Sequence, residues 1–355
     1  MNFQSLATSS TRSLRVAFCQ FNVQLKQVKQ NQQKVTEMLR QYISKKMNKL
    51  NMDHSHHDGQ SVFQSSSLVS SSSLFDILIF PEMSFTGYLF ENRKDVFPYC
   101  EEKGKGCCYE FCLELARNYQ CAVVCGYPEK ERIVNDLTSG DSSSSDCMDD
   151  DDAIGNHYKL FNSMYVISPD GSFVNYRKHF LYCEDLKWAS EGEGFKTIDF
   201  SLSDKKVKER LKNNELHNQN SRSDRDQQNV RIGLGICMDI NNGTNFSTNF
   251  TNKEFGTFHK EQGTEVLLFI ANWLASSEEP ENCLSTQNYW LNRISPMLSE
   301  SMPIPYFVCC NRTGKEKETL FAGSSCVIGL SKKSPFLLKS ASHDQECIKE
   351  VELWL

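Results

Sequence analysis

Short apolar runs rich in β-branched and aromatic residues alternate along the chain with stretches whose apolar positions recur every third or fourth residue. The first kind reads as strands buried on both faces, the second as amphipathic helices. Strands are predicted at Arg15–Phe21, Phe75–Phe80, Cys121–Gly126, Val230–Ile236, Glu265–Ile270, Tyr306–Cys310 and Ser324–Gly329. Val28, Val35, Met38, Leu39, Tyr42 and Ile43 predict a helix through Met47, and Cys108, Phe111, Cys112 and Leu115 predict another over Cys107–Tyr119. A short helix precedes Glu265, and a longer one covers about Cys283–Met302, kinked at Pro296. Leu160–Ile167 and Ser172–Arg177 flank Ser168-Pro169-Asp170-Gly171, a hairpin with the turn residues its geometry needs. Leu330–Pro335 turns into a last strand, Phe336–Lys339. Alternation of this kind predicts an α/β fold with a largely buried sheet.

Four polar tracts interrupt the pattern, at about 48–73, 133–156, 201–229 and 241–252. Each breaks into one continuous run of elements, and none separates two cores. The expected organisation is a flexible segment over 1–13 followed by a single domain over 14–355 with loop insertions. His54, His56 and His57 lie in the first tract, where solvated filler is a better reading than a metal site.

Composition narrows the function classes. A net charge of -6 leaves no footprint for nucleic acid, and the basic cluster Lys205–Lys212 sits in polar, Asn-rich sequence. No apolar stretch is long enough to span a bilayer. The 15 cysteines are scattered, with adjacent pairs at Cys107-Cys108 and Cys309-Cys310 that are too strained for ordinary disulfides. Cys121 and Cys125 share an apolar strand and read as core, and no zinc spacing appears, so neither metal nor cofactor is expected. Free thiols in this number point to a reducing compartment, the cytoplasm. The Ser/Thr-rich Met1–Ser13 segment adds a weak mitochondrial signal. Asn-x-Ser/Thr triplets at Asn242, Asn245, Asn249 and Asn311 then carry no glycosylation meaning.

Three strand exits carry chemistry. Glu82 follows Phe80-Pro81, Lys178 follows Tyr176-Arg177, and Cys237 ends the glycine-thinned strand Gly233-Leu234-Gly235-Ile236. Alone, each has a plain explanation, such as a capping acid for Glu82 and a core cysteine for Cys237. Together they suit acyl transfer. A thiol, mostly protonated near neutral pH, needs a base, and a buried glutamate can serve. The oxyanion formed on attack can be held by a lysine ammonium and the N–H after the nucleophile. A Cys-His pair is the competing arrangement, but His179 and His157 sit at no strand exit as clean.

The segments Phe80–Tyr88, Tyr176–Leu181 and Gly235–Asp239 resemble, in order, the Glu, Lys and Cys signatures of the nitrilase (carbon–nitrogen hydrolase) superfamily. The resemblance runs from about Arg15 to the end, and is greatest to its fungal protein N-terminal asparagine/glutamine amidohydrolase branch. It implies an αββα four-layer sandwich, with monomer and homodimer both open. It implies Cys237 as nucleophile, Glu82 as general base and acid, and Lys178 as oxyanion stabiliser. The substrate would be a peptide or protein with N-terminal Asn or Gln, deamidated to Asp or Glu with release of ammonia, feeding the Arg/N-degron degradation pathway. Superfamily members often carry a second acid after the lysine; Glu184 is the candidate, with Asp185 and Glu191 as rivals. A cationic α-amine calls for a nearby carboxylate, and Asp239 is a candidate, the alternative being that it caps the following turn. Ile240-Asn241-Asn242 follow it where relatives binding free amino-acid derivatives have an arginine, which favours a substrate continuing as peptide. Thr86, Tyr88, Asn272 and Trp273 are candidates for the pocket lining, with Trp273 equally readable as core. An ω-amidase or carbamoylase acting on a free small amide is the alternative function, and an inactive scaffold a second.

Overall fold

The strand Ser13–Gln20 (β1) shows how the molecule is layered: Leu14, Val16 and Phe18 belong to one buried cluster, while Ala17 and Cys19 belong to another. Successive side chains of a strand point to opposite faces, so β1 lies between two apolar layers. The same split recurs at Ile77–Ile79 (β2), Ala122–Arg132 (β3) and Tyr158–Ile167 (β4). This is a computed structural model, which describes residues 12–55, 74–133, 157–202, 229–276 and 281–355. Three of the polar tracts fall largely outside those residues, as do His56 and His57.

With Phe173–Arg177 (β5) and the C-terminal Cys347–Trp354 (β14), these strands make a sheet ordered β14-β1-β2-β3-β4-β5. Its centre is parallel, and its β4–β5 edge is the predicted hairpin, with Ile167 opposite Phe173. A second sheet is ordered β13-β12-β9-β8-β7-β6. It holds Lys196–Ser201 (β6), Asn229–Ile236 (β7), Val266–Ala271 (β8), Tyr306–Asn311 (β9), Cys326–Gly329 (β12) and Phe336–Ser340 (β13). Lys315–Glu316 (β10) and Thr319–Leu320 (β11) form a small separate ladder.

Helices cover the outer faces. Val28–Ser55 (α1) and Cys107–Tyr119 (α3) pack on the first sheet through Val35, Leu39, Cys112 and Leu115, with the short Arg93–Val96 (α2) between them in sequence. Glu254–Glu261 (α4) and Cys283–Arg293 (α5) cover the second through Phe255 and Trp290. The arrangement is the expected αββα sandwich. On β7 a Cβ at Gly235 would meet the Phe255 ring at 2.3 Å, so the glycine lets α4 sit against the sheet.

Three expectations change. Helix α1 runs on to Ser55, past the predicted end at Met47. Helix α5 stops at Arg293, and Ser295–Met297 forms a 3-10 turn around Pro296, whose ring cannot continue an α-helix. The 241–252 tract is a built wall rather than a loose insertion. The buried Arg293 guanidinium takes the carbonyls of Ile240, Phe250 and Asn252 at 3.0, 2.6 and 2.5 Å.

Candidate active site

Glu82, Lys178 and Cys237 meet at the ends of β2, β5 and β7 that face one another across the two sheets. Glu82 and Lys178 are wholly buried, while Cys237 retains 8% exposure, which leaves the thiol as the member a ligand can reach. Glu82 Oε1 accepts from Lys178 Nζ at 2.7 Å and from Asn162 Nδ2 at 2.7 Å, and Oε2 accepts from the Asn272 N–H at 2.6 Å. Its turn packs against β3, where a Cβ at Gly126 would lie 2.5 Å from Met83 N. Met83 and Cys237 both have positive φ, at 47° and 45°. Strained backbone at these two turns aims the side chains beside them into the site.

Of the acids that follow the lysine, the structure brings Asp185, not Glu184, to Lys178. Asp185 is buried; its Oδ2 accepts from Lys178 Nζ at 2.6 Å and the Tyr182 N–H at 3.0 Å, and its Oδ1 from Asn162 Nδ2 at 2.9 Å. Glu184 turns outward to Lys187 at 2.5 Å, and Glu191 accepts from the Thr244 hydroxyl. Asn162 therefore bridges both carboxylates of Lys178. It was visible in the sequence only as a polar residue inside an apolar strand.

Electrostatics separate the roles. Burial pushes the Glu82 carboxyl above the usual range; Lys178 opposes this and Asp185 adds to it. Burial likewise raises the Cys237 thiol, and the Glu82 charge raises it further against the pull of Lys178. Burial alone would lower the Lys178 ammonium, but Asp185, Glu82 and Cys237 outweigh it, and the net shift is upward. A protonated thiol thus lies beside a carboxylate of raised basicity and a firmly charged ammonium.

Asp239 does not face an open pocket. Its Oδ1 accepts the His179 and Phe180 N–H groups, each at 2.9 Å; its Oδ2 accepts the Tyr176 hydroxyl at 2.7 Å and the Ile236 N–H at 2.8 Å. Four donors occupy this buried carboxylate, so it ties the lysine turn to the cysteine turn and has no place left for a substrate amine. Thr86 is also elsewhere: its hydroxyl donates to the Gly87 carbonyl, and it lines a cavity with Glu101 and Cys107. His179 is held by its ring against Phe180, 4.7 Å between centroids, with Nδ1 3.1 Å from the Gly192 carbonyl.

Tyr88 and Asn272 are brought in. The Tyr88 ring centroid lies 5.8 Å from Lys178 Nζ, and its buried hydroxyl has no partner. Both side-chain atoms of the Asn272 amide are likewise buried and unpartnered, while its N–H holds Glu82. Buried polar atoms left empty beside reactive groups are where a polar ligand gains most. Trp273 is half-buried, its ring 5.5 Å from Tyr289 and 5.7 Å from Trp290.

The chain has recognisable relatives. The model of the carbon–nitrogen hydrolase family matches residues 15–332. A protein N-terminal amidase of Saccharomyces cerevisiae is 33% identical over 207 residues, covering 57% of this chain and 37% of that protein. One from Schizosaccharomyces pombe is 27% identical over 288 residues, covering 75% of this chain and 84% of its own length. Crystal structures of an N-terminal amidase with an Asn-Glu-Ala peptide and with a Gln-Val peptide superpose with TM-scores of 0.64 and 0.63, at 21% and 20% identity. Each comparison covers 96% of this chain and 98% of the other.

Proposed function

The chain belongs to the carbon–nitrogen hydrolase family, and on that premise we propose that it hydrolyses the side-chain amide of an N-terminal Asn or Gln in peptides and proteins. The observation that carries this reading is the buried Glu82–Lys178–Cys237 group beside the empty polar atoms of Tyr88 and Asn272. Glu82 takes the thiol proton as Cys237 attacks the amide carbon. The Lys178 ammonium and the Met238 N–H, in the first turn of the 3-10 segment Cys237–Ile240, hold the oxyanion. Glu82 then returns the proton to the departing ammonia, leaving a thioester. A water activated by the same carboxylate releases Asp or Glu and restores the thiol.

Peptide rather than free amino acid is favoured by what surrounds the site. Arg293, bonded to the Ile240 carbonyl just after Asp239, is buried and engaged by three main-chain carbonyls rather than presented as an open carboxylate receptor. With the thiol protonated, Glu82, Lys178 and Asp185 together carry one surplus negative charge, which suits an α-ammonium, and Asn272 Oδ1 and the Tyr88 oxygen are acceptors for it. The relatives named as N-terminal amidases support the same substrate. The new acidic N-terminus would feed the Arg/N-degron route of degradation. The cysteines among the described residues are free thiols, as the cytoplasm would keep them.

The test is ammonia release from Asn-, Gln- and Ala-initiated peptides, with free small amides alongside. Release from the first two and not the third, abolished in Cys237→Ala, is expected. Faster turnover of a free ω-amide or carbamoyl acid would overturn the substrate assignment, and full release by Cys237→Ala the mechanism.

A further inference from the structure

A second group of soft donors lies on the far side of the first sheet. Cys108 and Cys112 sit one turn apart on the buried face of α3, and Cys125 projects from the outer face of β3 beneath them. The three Sγ atoms lie within 4.8 Å of one another, with Cys108 and Cys125 at 3.4 Å. All three are buried, in surroundings that include Phe85, Tyr127 and Tyr165. One buried cysteine is ordinary core. Three converging sulfurs from two elements make a donor set, and thiolates select Cu(I) and Zn(II) among common metal ions.

The geometry points to Cu(I): we propose that Cys108, Cys112 and Cys125 form a three-coordinate site for this monovalent, thiophilic ion. The number of donors favours it over Zn(II), and their spacing admits it. Among the described residues no fourth His, Cys, Asp or Glu donor joins the group, whereas a structural zinc site closes with four. Metal–sulfur bonds of about 2.3 Å place three trigonal sulfurs about 4 Å apart, within the observed spacing. Binding forms Cu–S bonds, releases thiol protons to solvent and transfers no electrons.

Entry is provided by a cavity of about 450 Å³ lined by Glu101, Lys105, Cys107 and Cys108. Cys107 is exposed at its wall and donates to Glu101 Oε1 at 3.2 Å, placing a thiol at the mouth and a second inside.

The test is titration of the reduced full-length protein with Cu(I) in competition with a chelator of known affinity. We expect one ion bound, three sulfur neighbours by X-ray absorption, and a rise in Tm on loading. Cys112→Ala and Cys125→Ala should each weaken binding at least a hundredfold and lose the thermal shift, while Cys183→Ala, an exposed cysteine, should change neither. Alkylation of native protein, read by mass spectrometry, gives the same answer without variants: Cu(I) should protect Cys108, Cys112 and Cys125 together. Binding that follows Cys237→Ala instead, equal affinity in the triple alanine variant, or displacement of Cu(I) by an equal free concentration of Zn(II) would each overturn the proposal.

Discussion

Lys178 stands between two buried carboxylates, and the partition of its attention sets the basicity of Glu82. Asp185 contributes a like charge that raises the Glu82 carboxyl, and it also draws the ammonium partly away from Glu82. Since Glu82 must be ionised to accept the thiol proton, activity should fall as pH drops through its raised pKa, above the ordinary glutamate value near 4.3. Asp185→Asn removes the like charge and leaves Lys178 to Glu82 alone; both effects lower the Glu82 pKa. The acid limb of kcat/KM should therefore move to lower pH. The plateau should drop roughly 10- to 100-fold as Lys178 loses its second anchor, less than the ~10²–10³-fold typical of losing an oxyanion donor outright. Glu184→Gln, one residue away and turned to Lys187, should leave both limb and plateau within about twofold of the parent, since it changes only an exposed pair. An unmoved acid limb in Asp185→Asn would show that Glu82 does not titrate there.

Between elements, Asp239 decides whether the lysine turn and the cysteine turn keep their register. Asp239→Asn replaces one acceptor oxygen with an N–H₂ facing donors, leaving at least one buried donor unsatisfied and costing on the order of 3 kcal/mol. Tm should fall by several degrees and kcat should fall for Asn and Gln peptides alike, with KM little changed; a selective rise in KM would restore an amine-binding role. This carboxylate also marks what could be read from the chain. Strands β2, β3, β7, β8 and β9 and helix α3 were legible because burial on both faces, or one apolar helical stripe, leaves a strong pattern. Edge strand β6 and strand β14 were not: their many half-exposed positions mix polar and apolar residues. Glu82, Lys178 and Cys237 stood out because each directly ends a recognisable turn or strand. The choice of Asp185 over Glu184 depends on a one-residue rotation in a short 3-10 turn, which spacing does not encode. Nor could the sequence show Asp239 spending all its acceptors on main-chain and tyrosine donors, or Cys125 meeting a helix seventeen residues before it.

At the scale of the molecule, the site is split between the two sheets: Glu82 and Lys178 hang from one, Cys237 and Asn272 from the other. The apolar layer between the sheets sets their separation, together with the Asp239 and Glu82–Asn272 hydrogen bonds at its edge. Leu234 lies in that layer on β7, three residues before the nucleophile, whereas Leu39 packs α1 on the outside of the first sheet. Both side chains are fully buried, so Leu→Ala at either should cost about 2–5 kcal/mol, the range set by how far each cavity collapses. Their effects on catalysis should differ. Collapse around position 234 draws the sheets together unevenly and moves Cys237 relative to Glu82, and displacement of reacting groups by about 1 Å can cost ~10²-fold in rate. Collapse around position 39 moves a helix that carries none of the catalytic groups. Measured well below both melting temperatures, Leu234→Ala should lower kcat far more than Leu39→Ala for a comparable loss in Tm. Equal losses of kcat would mean that the turns themselves, and not the spacing of the sheets, hold the catalytic groups in place.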